Sequence, residues 1–217
     1  MNNFQYVTRK QSSPVKKELI QIINSVQNEV RHEFTFQYIF VGSTEYNMVT
    51  YDVGTNVGYD FDVNMHVNTE KCNLSAKEIK AKIRKALDKI TPRFGYDNAE
   101  DSTRVITIKF KDRQNSKIVH SCDLAIVSDY TSDKGITRQK YIHFDKQQNS
   151  YSWQEQPSEF CLLKEKAKWI KNNGYWNEVK ELYIKKKNLN NDYHKHSRSI
   201  FAETIYEICQ KHGYNNQ

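Results

Sequence analysis

From residue 59 to residue 67 the chain alternates strictly, with Tyr59, Phe61, Val63, Met65 and Val67 apolar or aromatic and Asp60, Asp62, Asn64 and His66 polar. A period of two predicts a strand that buries the odd-numbered members and leaves Asp60 and Asp62 side by side on its open face. A helical period governs other stretches. Val15, Leu19, Ile22, Ile23, Val26 and Val30 predict an amphipathic helix over residues 14–32 that starts at Ser13-Pro14. Ile79, Ile83, Leu87 and Ile90 predict a second helix, capped by Ser75 and closed by Thr91-Pro92. Its remaining positions hold Lys77, Lys80, Lys82, Arg84, Lys85, Lys89 and Arg93, which read as a solvated basic face. Aromatic and β-branched runs predict strands over residues 34–41, 104–111 and 117–127, the last two joined as a hairpin by the polar residues 112–116. Residues 44–58, with Gly54 and Gly58, read as a flexible connection, and residues 131–157 as an irregular or hairpin segment with a short strand at residues 141–144. From Ser158 the pattern is helical, through Leu163, Ala167, Trp169 and Ile170, then Trp176, Val179 and Tyr183, then a last helix from Ser197 to His212. Phe160 and Leu162 belong to the first of these apolar sets. The expectation is an α/β half, residues 1–157, followed by a small helical half, residues 158–217, with a ligand cleft between them.

Composition narrows the class without naming a function. The 217 residues are 37% hydrophobic and 27% charged, with seven Gly and three Pro, which fits a globular chain with little linker. The opening residues 1–6 contain no apolar segment and no run approaches 18 apolar residues, so the expectation is a cytoplasmic protein with no membrane span. Cys72, Cys122, Cys161 and Cys209 are far apart, with no Cys-x-x-Cys pair, which argues against a zinc ribbon and for reduced thiols. A net charge of +7 suits a polyanionic ligand, either nucleotide phosphates or a polynucleotide.

The candidate chemistry rests on three carboxylates. Asp60 and Asp62 share one face, and Asp123 lies on a later strand. Should those strands be neighbours, the three acids converge where they repel one another unless cations sit among them, and hard Mg²⁺ or Mn²⁺ ions take oxygen ligands. Gly42-Ser43, at the end of the strand over residues 34–41, offers backbone N–H groups and a hydroxyl to phosphate. Together these groups suit in-line displacement at phosphorus, with Asp123 assisting deprotonation of an acceptor hydroxyl. A nuclease or a nucleotide-sugar glycosyltransferase explains the carboxylates but not Gly42-Ser43. His66 reads as an ordinary strand-end residue and His194-x-His196 as a loop. Tyr193 is a candidate for stacking on a base.

Val41-Gly42-Ser43, then Asp60-Phe61-Asp62-Val63, then Asp123 within Ser121-Cys122-Asp123-Leu124 resembles the Gly-Ser, Asp-x-Asp, Asp signature of the DNA polymerase β-type nucleotidyltransferase superfamily. The stretch from Ser197 to Cys209 is similar to the triphosphate-contacting helix of its template-independent branch, which includes oligoadenylate synthetases and cyclic GMP-AMP synthase-like (CD-NTase) enzymes. One departure is the gap of 16 residues between Ser43 and Asp60, longer than the family's usual one. The resemblance implies an α+β fold, a mixed sheet with flanking helices followed by a helical subdomain. It also implies transfer of a nucleoside monophosphate from ATP or GTP to a hydroxyl, with Mg²⁺ or Mn²⁺ at Asp60, Asp62 and Asp123. By the same likeness Ser197 would contact the triphosphate together with one of Lys164, Lys166 or Lys168, of which Lys164 and Lys168 share a helical face. A nucleotide acceptor is favoured, which would give a cyclic or linear oligonucleotide. An antibiotic-like small molecule, an RNA end or a protein are alternatives, as is a non-catalytic nucleotide- or RNA-binding module, and RNA or DNA is a possible partner.

Overall fold

The computed structural model describes residues 2–133, 135–156, 159–192, 195 and 197–214, without the side chains of residues 159–162. In chain order the elements are β1 (Phe4–Tyr6), α1 (Arg9–Val30), β2 (Phe36–Val41), β3 (Thr50–Asp52), β4 (Tyr59–Val67), α2 (Ala76–Ile90), β5 (Glu100–Asp101), β6 (Val105–Asp112), β7 (Lys117–Thr131), β8 (Thr137–Asp145), β9 (Ser150–Glu155), α3 (Glu159–Asn172), α4 (Trp176–Leu189) and α5 (Ser197–Lys211). The fold is α+β, a mixed sheet with flanking helices and a C-terminal helical part. The chain divides into two compact units, one of residues 7–51 and 55–156, the other of residues 1–6, 52–54 and 157–217. Among the described residues no helix is long and apolar enough to cross a membrane.

The larger unit is built on a seven-stranded sheet in the order β2-β4-β7-β6-β5, with β8 also paired to β7, and β9 to β8. Among the described residues of this sheet, β4 and β7 are the one parallel pair. One face carries the core. Phe61, Val63, Met65 and Val67 of β4 and Cys122, Leu124 and Ile126 of β7 join Leu19, Ile22, Ile23, Val26 and Val30 of α1 and Ile79, Ile83, Leu87 and Ile90 of α2 in one buried cluster.

Local signals account for the starts of α1 and α2. Ser75 and Glu78 form a reciprocal capping box at the head of α2. The same device, Thr8 with Gln11, starts α1 at Arg9, so Pro14 lies inside that helix and is not its first turn. The basic face of α2 also needs correction. Lys80 is 1% exposed and its Nζ lies 2.7 Å from Asp101 Oδ1, because its helical position points at β5 and not at water. Residues 44–58 are no loose connection, since they contain β3 and a close backbone crossing at Gly58. Residues 131–157 resolve into the β8–β9 hairpin over the described positions.

A Cβ added to Gly58 would sit 2.0 Å from the Val119 carbonyl oxygen and 2.6 Å from that of Ile118, both backbone atoms that no side-chain rotation can clear. Gly58→Ala is therefore expected to cost about 3 kcal/mol or more in urea unfolding. A loss under 1 kcal/mol would mean that this crossing relaxes freely.

His120 is buried on the core side of β7, stacked on Phe110 with centroids 5.1 Å apart. The Tyr96 hydroxyl donates to Glu18 (2.9 Å) and lies 2.8 Å from His120 Nε2, so the imidazole is assigned as the neutral Nε2–H tautomer that donates to Tyr96. Among the described residues its buried Nδ1 has no partner. Burial holds the imidazole down to about 4 from its ordinary 6.5. A depressed basic group adds stability at neutral pH that fades as pH falls, because the unfolded chain takes up the proton first. Between pH 6.5 and 4 the expected loss from this residue is at most about 3 kcal/mol. A His120→Gln variant with the wild-type slope of stability against pH over that range would refute it.

In the smaller unit the N-terminal segment is held by α4. The Phe4 amide donates to Asn188 Oδ1 at 2.6 Å, and the Tyr6 hydroxyl donates to the Lys180 carbonyl at 2.7 Å. Ala167, Ile170, Val179, Tyr183, Ile200, Phe201, Ile205 and Ile208 are buried among α3, α4 and α5. Ser158, proposed as the start of the helical pattern, lies outside the described residues, as do the side chains of Phe160 and Leu162.

Candidate active site

The parallel pairing of β4 with β7 puts Asp62 opposite Asp123 and Asp60 opposite Ser121. Paired residues of neighbouring strands point to the same side, so the three carboxylates stand on the sheet face opposite the core. A slip of one residue would bury the acids and expose Phe61 and Val63, and the apolar alternation is what forbids it. On the other flank β2 pairs Val41 with Asp62, so the turn that follows begins level with that aspartate. Gly42 opens this turn at φ +62°, where an L side chain is strained, and an added Cβ would lie 2.9 Å from Asp62 Oδ2. The Met48 amide donates to the Ser43 carbonyl at 2.8 Å, closing the turn, and the Asp62 amide faces the buried Thr44 hydroxyl at 3.5 Å.

Hydroxyl groups surround the acids. Ser121 donates to Asp60 Oδ1, and Thr107 donates to Asp123 Oδ1 at 2.6 Å. Burial pushes the Asp123 carboxyl above the ordinary range, opposed by the Thr107 hydrogen bond and the nearby Lys109 charge. For an acid raised in this way the stabilising contribution is present at low pH and lost as pH rises through its folded pKa, so an ionised Asp123 is a cost at neutral pH. Burial, then the charges of Asp123, Asp62 and Asp60, push the Cys122 thiol up, leaving it protonated and unreactive. Among the described residues no three His, Cys, Asp or Glu side chains are grouped tightly enough to clasp an ion as they stand. The donor set nonetheless fits a hard divalent cation, being oxygen-only, acidic and drawn from adjacent strands in register.

The remaining sequence candidates belong to the smaller unit or lie outside description. Lys164 and Lys168 are exposed on α3, whereas Lys166 is buried with its Nζ 5.2 Å and 4.5 Å from the ring centroids of Tyr206 and Tyr214. Ser197 is the first residue of α5 and is exposed. Tyr193, His194 and His196 lie outside the described residues. His66, next to the end of β4, has its Nδ1 2.8 Å from Asp129 Oδ2. Thr44, Thr107, Lys109 and Ser121 were not legible as site residues. A lone Thr or Ser on a strand carries no signal until its cross-strand neighbour is known.

No protein-family model matches the sequence, and neither does any curated protein. Solved structures do match. The STING-associated CdnE c-di-GMP synthase of Capnocytophaga granulosa superposes with a TM-score of 0.61 at 14% identity, covering 98% of this chain and 64% of that one. The GTP-bound form of Vibrio cholerae DncV gives a TM-score of 0.56 at 14% identity, covering 87% of this chain and 50% of that one. The chain has a cGAS/DncV-like nucleotidyltransferase fold. DncV, described as a cyclic AMP-GMP synthase, is also solved with the linear intermediate 5′ pppA(3′,5′)pG, and that form gives a TM-score of 0.53 at 13% identity over 87% of this chain and 52% of that one. The chain thus spans between half and two thirds of the length of these solved chains.

Proposed function

We propose that the protein is a template-independent nucleotidyltransferase that moves a nucleoside monophosphate from ATP or GTP to the hydroxyl of an acceptor nucleotide, forming a cyclic or linear oligonucleotide and releasing pyrophosphate. The observation that carries this reading is the row in which Asp62 stands opposite Asp123, with Gly42 against the Asp62 carboxylate, in a fold shared with cyclic-dinucleotide synthases.

The acceptor oxygen attacks the α-phosphorus, the bond from that phosphorus to the bridging oxygen of the β-phosphate breaks, and the pyrophosphate leaves with that oxygen. Asp60, Asp62 and Asp123 would hold Mg²⁺ or Mn²⁺, which when bound neutralises charge on the entering and leaving oxygens. Gly42 leaves the space beside Asp62 open, so the amides of the turn can approach phosphate oxygens, with the Ser43 hydroxyl as a further donor. Asp123 takes the proton of the acceptor hydroxyl, a role that suits a carboxyl whose burial raises its basicity. In the helical subdomain, residues 158–217, Ser197 and a lysine of α3 contact the triphosphate. Lys164 and Lys168 suit that task better than Lys166, whose ammonium is already buried against two rings. Tyr193 stacks on a base.

The test is incubation of the protein with Mg²⁺ or Mn²⁺ and each α-labelled NTP, singly and in pairs, with and without RNA, an aminoglycoside or added protein. Label entering a nucleotide product supports the proposal. Label appearing only on RNA, antibiotic or protein shifts the acceptor, and NTP binding without any product points to a binding module.

A further inference from the structure

Five strands contribute one residue each to a single row across the open face of the sheet. Glu100 of β5 pairs with Thr107 of β6, Thr107 with Asp123 of β7, Asp123 with Asp62 of β4, and Asp62 with Val41 of β2. Thr107 therefore separates the Glu100 carboxylate from that of Asp123. The neighbouring Lys109 Nζ is paired with Glu100 at 2.5 Å and acts on Asp123 through its charge. It is the Thr107 hydroxyl that touches Asp123, donating to Oδ1 at 2.6 Å.

Resting on the nucleotidyl-transfer reading above, we propose that Thr107 is a positioning residue of the site: its hydroxyl fixes the carboxylate plane of Asp123 and leaves Oδ2 to face a divalent cation and the acceptor. The geometry suits the task. A β-branched side chain has few χ1 choices on a strand, so the hydroxyl is delivered from a fixed direction. A carboxylate that accepts one short bond on one oxygen loses its freedom to rotate, and misplacing a ligand by such a rotation weakens both metal binding and turnover. Asp60 is treated in the same way by Ser121, whose hydroxyl donates to its Oδ1. Lys109, two residues along β6 and ion-paired with Glu100, acts on Asp123 through its charge, whereas Thr107 touches it.

The test compares wild type, Thr107→Val and Thr107→Ser by Mn²⁺ titration, alone and with a non-hydrolysable ATP analogue, and by steady-state turnover of labelled NTP. Valine keeps the branched shape without the hydroxyl. It is expected to weaken Mn²⁺ binding and to lower kcat, each by about 10- to 100-fold, with the KM for NTP changed by under about threefold, whereas serine returns both to within about threefold of wild type. Thermal melts of the three proteins are expected to agree within a few degrees. Wild-type Mn²⁺ affinity and kcat in Thr107→Val overturn the proposal, as does a change in KM alone, a serine variant as impaired as the valine one, or a wild type that binds no Mn²⁺ under either condition. A wild type that binds Mn²⁺ and is weakened by valine but transfers no nucleotide leaves the positioning role intact and removes the transfer reading instead.

Discussion

Asp62→Ala is expected to lower NTP turnover by roughly 10³-fold or more, while leaving the protein as stable as wild type in the absence of divalent cations. The magnitude follows from what one carboxylate contributes at a phosphoryl site. Several kcal/mol of charge stabilisation depend on an intact ligand set, and each 1.36 kcal/mol is about tenfold in rate. Asp62 is the most exposed to this loss because of its place in the sheet. It faces Asp123 on one side, Val41 on the other, and the turn at Gly42 lies against its carboxylate. Asp60, one rung along and exposed, is tied to Ser121 and should matter less. Stability should not fall, because removing one of three neighbouring negative charges relieves repulsion. Steady-state turnover in Mg²⁺ and in Mn²⁺, together with melts in EDTA, decides the matter. A variant keeping a tenth of wild-type activity would take Asp62 out of the reaction, and a melt lowered by many degrees would make the loss structural.

The second large effect concerns stability. Lys80→Met is expected to cost about 3–5 kcal/mol at pH 7, since it strips the cation from a buried carboxylate. Lys80 Nζ lies 2.7 Å from Asp101 Oδ1 and donates to the Ser102 carbonyl at 2.8 Å, while the Tyr151 hydroxyl donates to Asp101 Oδ2 at 2.8 Å. The side chains of Lys80 and Asp101 are 2% and 9% exposed, so water cannot replace the ammonium. Without it, the Tyr151 hydroxyl is the one hydrogen-bond donor left to Asp101 among the described residues. The double variant Lys80→Met/Asp101→Leu should recover most of the loss, because an apolar pair of similar size replaces a buried ion pair at little net cost. Urea unfolding at pH 7 reads both variants. A double variant no better than the single one would mean that the packing of the lysine stem, and not its charge, is what β5 depends on.

Much of the fold was legible because its signals are local. The alternation over residues 59–67 set the faces of β4, the apolar spacing of Ile79, Ile83, Leu87 and Ile90 set the buried stripe of α2, and Ser75 marked its start. Where two local signals competed, the sequence misled. Ser13-Pro14 resembles a helix start, yet Thr8 and Gln11 satisfy the end groups a turn earlier and the helix runs through the proline. Gly58 suggested flexibility, but it is a glycine because β7 backbone passes where a Cβ would be. Lys80 looked solvated because its partner, Asp101, lies 21 positions away on a two-residue strand with no pattern of its own.

By itself the sequence determined the strand that carries Asp60 and Asp62, the helices that cover its apolar side, and the presence of oxygen donors suited to a phosphoryl site. Those are properties of short windows, in which side-chain period and residue chemistry suffice. Only the tertiary structure decided that β4 and β7 run parallel with Asp62 opposite Asp123, that Thr107 rather than Lys109 touches Asp123, and that residues 2–6 are held by α4. Each of these depends on register between segments distant in the chain, which is set by the packing of many side chains at once and leaves no mark on any one of them.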